Sequence, residues 1–165
     1  MKPLSEELVE ETWQEFASFT PTQVNKEAKK IAKGQSDLLS FMVEFTEELD
    51  QEVKELAIYM FFVVNRIFAK GYRKKIKKAT PEEIIECYEQ NEKLMESLEG
   101  AHDRFYERVA SVQVSAQPYV IKYVVETLFE YPEEEDPIFI SDEDVGFLFL
   151  LLKTAIDVLN KKTDA

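Results

Sequence analysis

One histidine and one cysteine narrow the chemistry open to this chain of 165 residues. His102 closes the tetrapeptide Glu99-Gly100-Ala101-His102, a Glu-x-x-His spacing that can aim a carboxylate and an imidazole from one helix face at a metal. A carboxylate-bridged metal pair needs two copies of that element, and Gly100 stands where a helix would end. The bland reading is a surface histidine near a helix start. Cys87 shares an apolar helical spacing with Ile84 and Leu94, and no sequence neighbour would lower its pKa. It reads as a buried structural thiol rather than a nucleophile. No Ser/His/Asp set, no Cys/His cluster and no glycine-rich phosphate loop is present.

Carboxylates are the remaining candidates. Glu44-x-x-Glu47, followed closely by Glu52-x-x-Glu55, resembles the magnesium-binding Glu-x-x-Glu pairs of all-α nucleotide pyrophosphohydrolases. The resemblance implies a small all-α metal-dependent hydrolase that uses helix carboxylates, together with basic residues for the phosphates. With 33 acidic residues in the chain, however, pairs at i, i+3 arise by chance, and solvated helix faces explain them equally. Asp142-Glu143-Asp144-Val145-Gly146 hints at a calcium loop, but Lys153 stands where the closing bidentate glutamate belongs. Acids crowding a helix N-terminus account for every residue there. No metal and no cofactor is expected.

Charge is distributed unevenly. The net charge is −13, which argues against nucleic acid as a partner, because phosphate contact needs cationic surface. Yet from Leu56 to Pro81 there is no acid, while Arg66, Lys70, Arg73, Lys74, Lys75, Lys77 and Lys78 bring seven positive charges. From Tyr123 to Leu152 there is no base, against nine acids that include Glu133 to Asp136 and Asp142 to Asp144. Cations at the last turns of a long helix complement its dipole, but that accounts for only some of the seven. Lys70, Arg73, Lys74, Lys75, Lys77 and Lys78 therefore form the candidate site, a patch for an anion or an acidic partner surface.

The elements that must position these residues are helices. Leu8, Val9, Trp13, Phe16 and Phe19 make an apolar stripe over about residues 5–19. Thr20-Pro21-Thr22-Gln23 reads as a capping box with proline at the first helical position, opening a helix that Gly34 stops. Ser36 or Asp37 is expected to cap a third helix. The run Leu56–Val64 is apolar all round, as a surrounded central helix requires, and its period continues through Phe68, Tyr72 and Ile76 to about Lys78. Thr80-Pro81-Glu82-Glu83 is a second box, opening a helix with a seam of Ile84, Cys87, Asn91, Leu94 and Leu98. On that seam Asn91 either fixes helix register or marks where the seam meets water. A further helix carries Ala101, Phe105, Val109, Val112 and Ala116. Pro118 starts the next, and Ser141 with Asp144 caps the last, whose Phe147–Leu152 run is core.

The expectation is an all-α single domain over residues 1–165, a bundle of seven or eight helices with irregular or solenoid-like packing. The longest apolar runs fall short of the roughly 18–20 residues of a membrane span. The acidic start and the lone cysteine point to a reducing cytoplasm. The functional expectation is a cytoplasmic macromolecule-binding protein, adaptor, regulatory or chaperone-like. It would act on another protein or on a second copy as a homodimer, and not by catalysis. The alternative is the carboxylate hydrolase of Glu44, Glu47, Glu52 and Glu55.

Overall fold

Local capping chemistry sets where most of the helices begin. The computed structural model describes residues 2–73, 76–97, 116–130 and 140–163, and among them there are seven α-helices and no strand. Helix α1 (Glu6–Ala17) starts at Ser5, whose hydroxyl accepts from the Leu8 amide at 3.1 Å, with Glu6 and Glu7 in the first turn. A side-chain acceptor and two anions satisfy free amides and the positive end of the dipole together. Helix α2 (Pro21–Gly34) opens with the full reciprocal box of Thr20 and Gln23. Helix α5 (Pro81–Ser97) does the same with Thr80 and Glu83. Pro118 begins α6 (Pro118–Glu130), and the Ser141 hydroxyl accepts from the Asp144 amide at 3.1 Å to start α7 (Asp142–Thr163).

Two boundaries differ from the sequence expectation. Helix α3 (Ser36–Phe45) is capped by neither Ser36 nor Asp37; Gln35 holds the cap position without a side-chain cap bond. The Gln35 amide reaches across the fold instead, donating to the Lys77 carbonyl at 2.9 Å and accepting from the Ala79 amide at 3.1 Å. Helix α4 (Gln51–Tyr72) ends well before Lys78. Arg73 turns left-handed at φ 50° and returns its N–H to the Ala69 carbonyl. Ile76 still packs half-buried against the core after the chain has left the helix. Gly71 does not break α4, because it serves a close approach: a Cβ there would overlap the Leu4 side chain.

Helix α4 is the centre of the bundle. Met60, Phe61, Val63, Val64, Ile67 and Phe68 are completely out of solvent, and α1, α2, α3, α6 and α7 all pack on it. Helix α7 is the second surrounded element, buried almost continuously from Leu148 to Leu159 between α5, α4 and α6. All seven helices contribute to one apolar cluster. Burying each of these large side chains contributes about 1.5–3 kcal/mol, so α4 and α7 dominate the stability. None of the described helices is long and apolar enough to cross a membrane. The expected helix from Ala101 to Ala116, except Ala116 itself, which stands outside any helix, lies outside the described residues, as do His102, Gly100, Leu98 and the acids Glu133 to Asp136.

Candidate functional site

The seven cations of the basic block separate into distinct roles. Arg66 lies between two carboxylates from different helices: Nη1 is 2.6 Å from Glu27 on α2, while Nε and Nη2 both donate to Glu15 on α1. Its guanidinium stands 4.8 Å from the Phe19 ring centroid. Lys70 Nζ bonds the same Glu15 carboxylate at 2.9 Å. Hydrogen bonds from Lys70 and then Arg66 pull the Glu15 carboxyl below its ordinary value. These two cations staple α1 and α2 onto α4, so of the candidate patch Lys70 is already engaged. Arg73, Lys77 and Lys78 are exposed, and Lys74 and Lys75 lie outside the described residues. The backbone at Lys77 is held on both sides, its carbonyl by the Gln35 side chain and its amide by the Lys162 carbonyl.

The carboxylates singled out for metal chemistry do not converge. Glu44, Glu47, Glu52 and Glu55 are all exposed on α3, α4 and the turn between them, and Glu55 accepts from the Gln51 amide at 2.9 Å. Among the described residues no three His, Cys, Asp or Glu side chains come together as a metal would require. Asp142, Glu143 and Asp144 occupy the first turn of α7, where the helix dipole favours them. Cys87 is buried against α7, and burial pushes its thiol up, with Lys161 opposing. The cleft beside it, lined by Glu83, Glu86, Cys87, Val158 and Lys161, encloses about 100 Å³. A pocket for a metabolite is typically about 300–1,000 Å³.

Asn91 lies inside the fold, not where the seam meets water. It is buried, and its amide donates to the Thr154 hydroxyl at 3.2 Å and to Asp157 at 3.1 Å. Lys153, also buried, donates to Asn91 Oδ1 at 2.7 Å and to Asp157 at 2.6 Å. Every described buried side-chain nitrogen and oxygen has a partner. A completely satisfied network of this kind locks α5 to α7 and leaves no group free for reaction. Its trace in the sequence was a lysine closing an apolar run with an aspartate four residues on.

The feature that sequence reasoning missed lies between α1 and α6. Trp13, assigned above to the core stripe, is 38% exposed, and Tyr119 matches it at 38%. The core of α1 is lined by Val9, Thr12 and Phe16, and the roughly 100° per residue of a helix carries Trp13 from that face to its rim. A cleft runs between Glu6, Val9, Glu10 and Trp13 of α1 and Tyr119, Lys122, Tyr123 and Glu126 of α6. Each helix contributes at i, i+3, i+4 and i+7, so each lines the cleft with one continuous ridge. Tyr123 forms the floor, and burial drives its phenol far above its ordinary value. Lys122 is the one base against three carboxylates. Its ammonium lies 3.3 Å from Glu6 and 3.8 Å from Glu126, and Glu6 above all raises its pKa. The shared spacing of the two ridges, with a tryptophan in one and a tyrosine in the other, was the signal available in the sequence. Compared with known proteins, the chain has no significant match to a family model, a curated protein or a solved structure.

Proposed function

We propose that the protein acts by binding another protein, as a cytoplasmic adaptor or regulator, and that the α1–α6 face is its contact surface. One observation carries this reading: Trp13 and Tyr119 both stand exposed on the lining of one cleft that also holds Glu6, Glu10 and Glu126. Tryptophan and tyrosine are the side chains on which binding energy concentrates at protein interfaces. A fold that buries most of two other helices has left these rings at its surface. The acidic rim selects a partner with positive charge, and the net charge of −13 steers such a partner in. The lone buried Cys87 suits a reducing compartment.

The test is affinity capture from native-cell extract, comparing wild type with Trp13→Ala/Tyr119→Ala, both rings being exposed enough for the variant to fold. Proteins retained by the wild type and lost by the variant support the reading. Identical profiles overturn it. Arg73, Lys77 and Lys78, exposed beside the end of α4, favour a second contact of the same kind, with an acidic surface on a partner or on a second copy.

A further inference from the structure

We infer that the α1–α6 cleft receives an arginine side chain from a basic segment of the partner, its guanidinium seated between Glu6 and Glu126 against the Trp13 and Tyr119 rings. The inference rests on the α1–α6 face being the contact surface. Its support comes from a second place in the same molecule. Around Arg66 the chain assembles two glutamates from two helices, Glu15 and Glu27, an aromatic ring, Phe19, and an ammonium, Lys70, sharing one of the glutamates. The cleft holds a related set: Glu6 and Glu126 from two helices and aromatic rings, with Lys122 rather than an arginine between the two carboxylates.

Lys122 is a weak occupant of that position. It is half-exposed, at 3.3 and 3.8 Å from its two carboxylates, and exposed pairs of this kind contribute little because water screens them. An ammonium is a point charge, whereas a guanidinium has five donors in a plane, bonds two carboxylates at once and stacks on a ring. An incoming arginine therefore gains contacts that Lys122 does not make, and a third carboxylate, Glu10, is at hand for the displaced ammonium. The cleft encloses about 50 Å³, space for one side-chain head group.

Trp13 is the only tryptophan of the chain, so its fluorescence reports the cleft directly. The probes are three acetylated, amidated hexapeptides alternating glycine with arginine, with lysine, or with uncharged citrulline. The arginine peptide is expected to change Trp13 emission saturably, the lysine peptide to bind at least about threefold more weakly, and the citrulline peptide not to bind. Glu6→Gln/Glu126→Gln should weaken the arginine peptide about tenfold, and Lys122→Ala should tighten it. Equal response to arginine and lysine overturns the guanidinium assignment. No response to any peptide, with partners still lost from Trp13→Ala/Tyr119→Ala, overturns the inference and leaves the contact surface standing. If capture is also unchanged, both fail. A concentration-dependent dimer in sedimentation that Glu6→Gln/Glu126→Gln abolishes gives the cleft to a second copy and overturns the inference too.

Discussion

Lys153 and Asp157, one turn apart on α7, meet at 2.6 Å with the lysine side chain only 7% exposed and the aspartate 32%. The asymmetry sets an order of costs. Replacing Asp157 by alanine leaves a buried ammonium with Asn91 Oδ1 as its remaining acceptor among the described residues, and breaking a buried pair this way costs about 3–5 kcal/mol. Replacing Lys153 by methionine keeps the volume in the apolar run, and the stranded Asp157 retains both water and the Asn91 amide. Urea denaturation should therefore rank Asp157→Ala well below Lys153→Met in stability. The reverse order would mean that the lysine is hydrated and does not lock α5 to α7.

Gly71 offers a case where helix propensity and packing oppose each other. Alanine in a helix interior is favoured over glycine by about 1 kcal/mol. Here, though, the new methyl would overlap Leu4 and press on Leu8. Leu4 cannot simply retreat, because it is buried and its amide is held by Gln117 Oε1 at 3.0 Å. Overpacking should outweigh the propensity gain, with a net loss of about 1–3 kcal/mol. Pairing Gly71→Ala with Leu4→Ala should recover part of the loss that the two single changes would sum to. A neutral or stabilised Gly71→Ala on thermal melting would show that α1 does not rest on α4 at this point.

Two carboxyls give the fold a defined acid sensitivity. Glu15 is lowered by Lys70 and Arg66, and Glu83 by Lys162 and the Thr80 backbone. A folded value below the unfolded one adds stability that is present above the unfolded pKa and is lost as pH falls through the folded pKa. Both groups start from an ordinary value of 4.5, so the loss falls below that pH. The background moves the other way, since protonating a chain of net charge −13 relieves self-repulsion. The informative quantity is thus a difference. Wild type should exceed Glu15→Gln/Glu83→Gln in stability at pH 7, and the gap should close as pH falls below 4.5. A gap that stays constant from pH 7 to pH 3 would remove both ion pairs from the account.

What could be read from the sequence was what is local. The Thr20 and Thr80 boxes, Pro118, Ser141 and the apolar run of α4 depend on residues within a turn or two of one another, and each stands where its spacing placed it. Most of the misses depend on partners far along the chain. Gln35 gives up helix capping for Lys77 and Ala79, and burial of Lys153 waits on Asn91, 62 residues earlier. The apolar period that suggested α4 reached Lys78 runs on because Ile76 is still packed on the core, while the backbone has already turned at Arg73. Trp13 looked like core because residue type was weighed above helical angle. The basic block was visible as a run of charge, but the sequence did not reveal which cations Glu15 and Glu27 would claim.

That division of the cations is itself testable. Arg66 holds Glu15 and Glu27, and Glu27 is buried, so Arg66→Ala strands a buried carboxylate with only the exposed Lys30 at 3.5 Å. The expected loss is about 3 kcal/mol. Lys77 and Lys78 are exposed at the surface, and the segment is held through its backbone rather than by their side chains. Lys77→Glu/Lys78→Glu should therefore change stability by no more than about 0.5 kcal/mol. What it should change is association. If these cations meet an acidic surface on a second copy, sedimentation will show a dimer that weakens between about 0.05 and 0.5 M salt, as the screening length falls below about 5 Å, and that the charge reversal removes. If the acidic surface belongs to another protein, the chain stays monomeric and the reversal strips captured partners that Trp13→Ala/Tyr119→Ala retains. A monomer whose capture profile survives the reversal unchanged makes Arg73, Lys77 and Lys78 a solvated helix end, and leaves the α1–α6 cleft as the one contact surface.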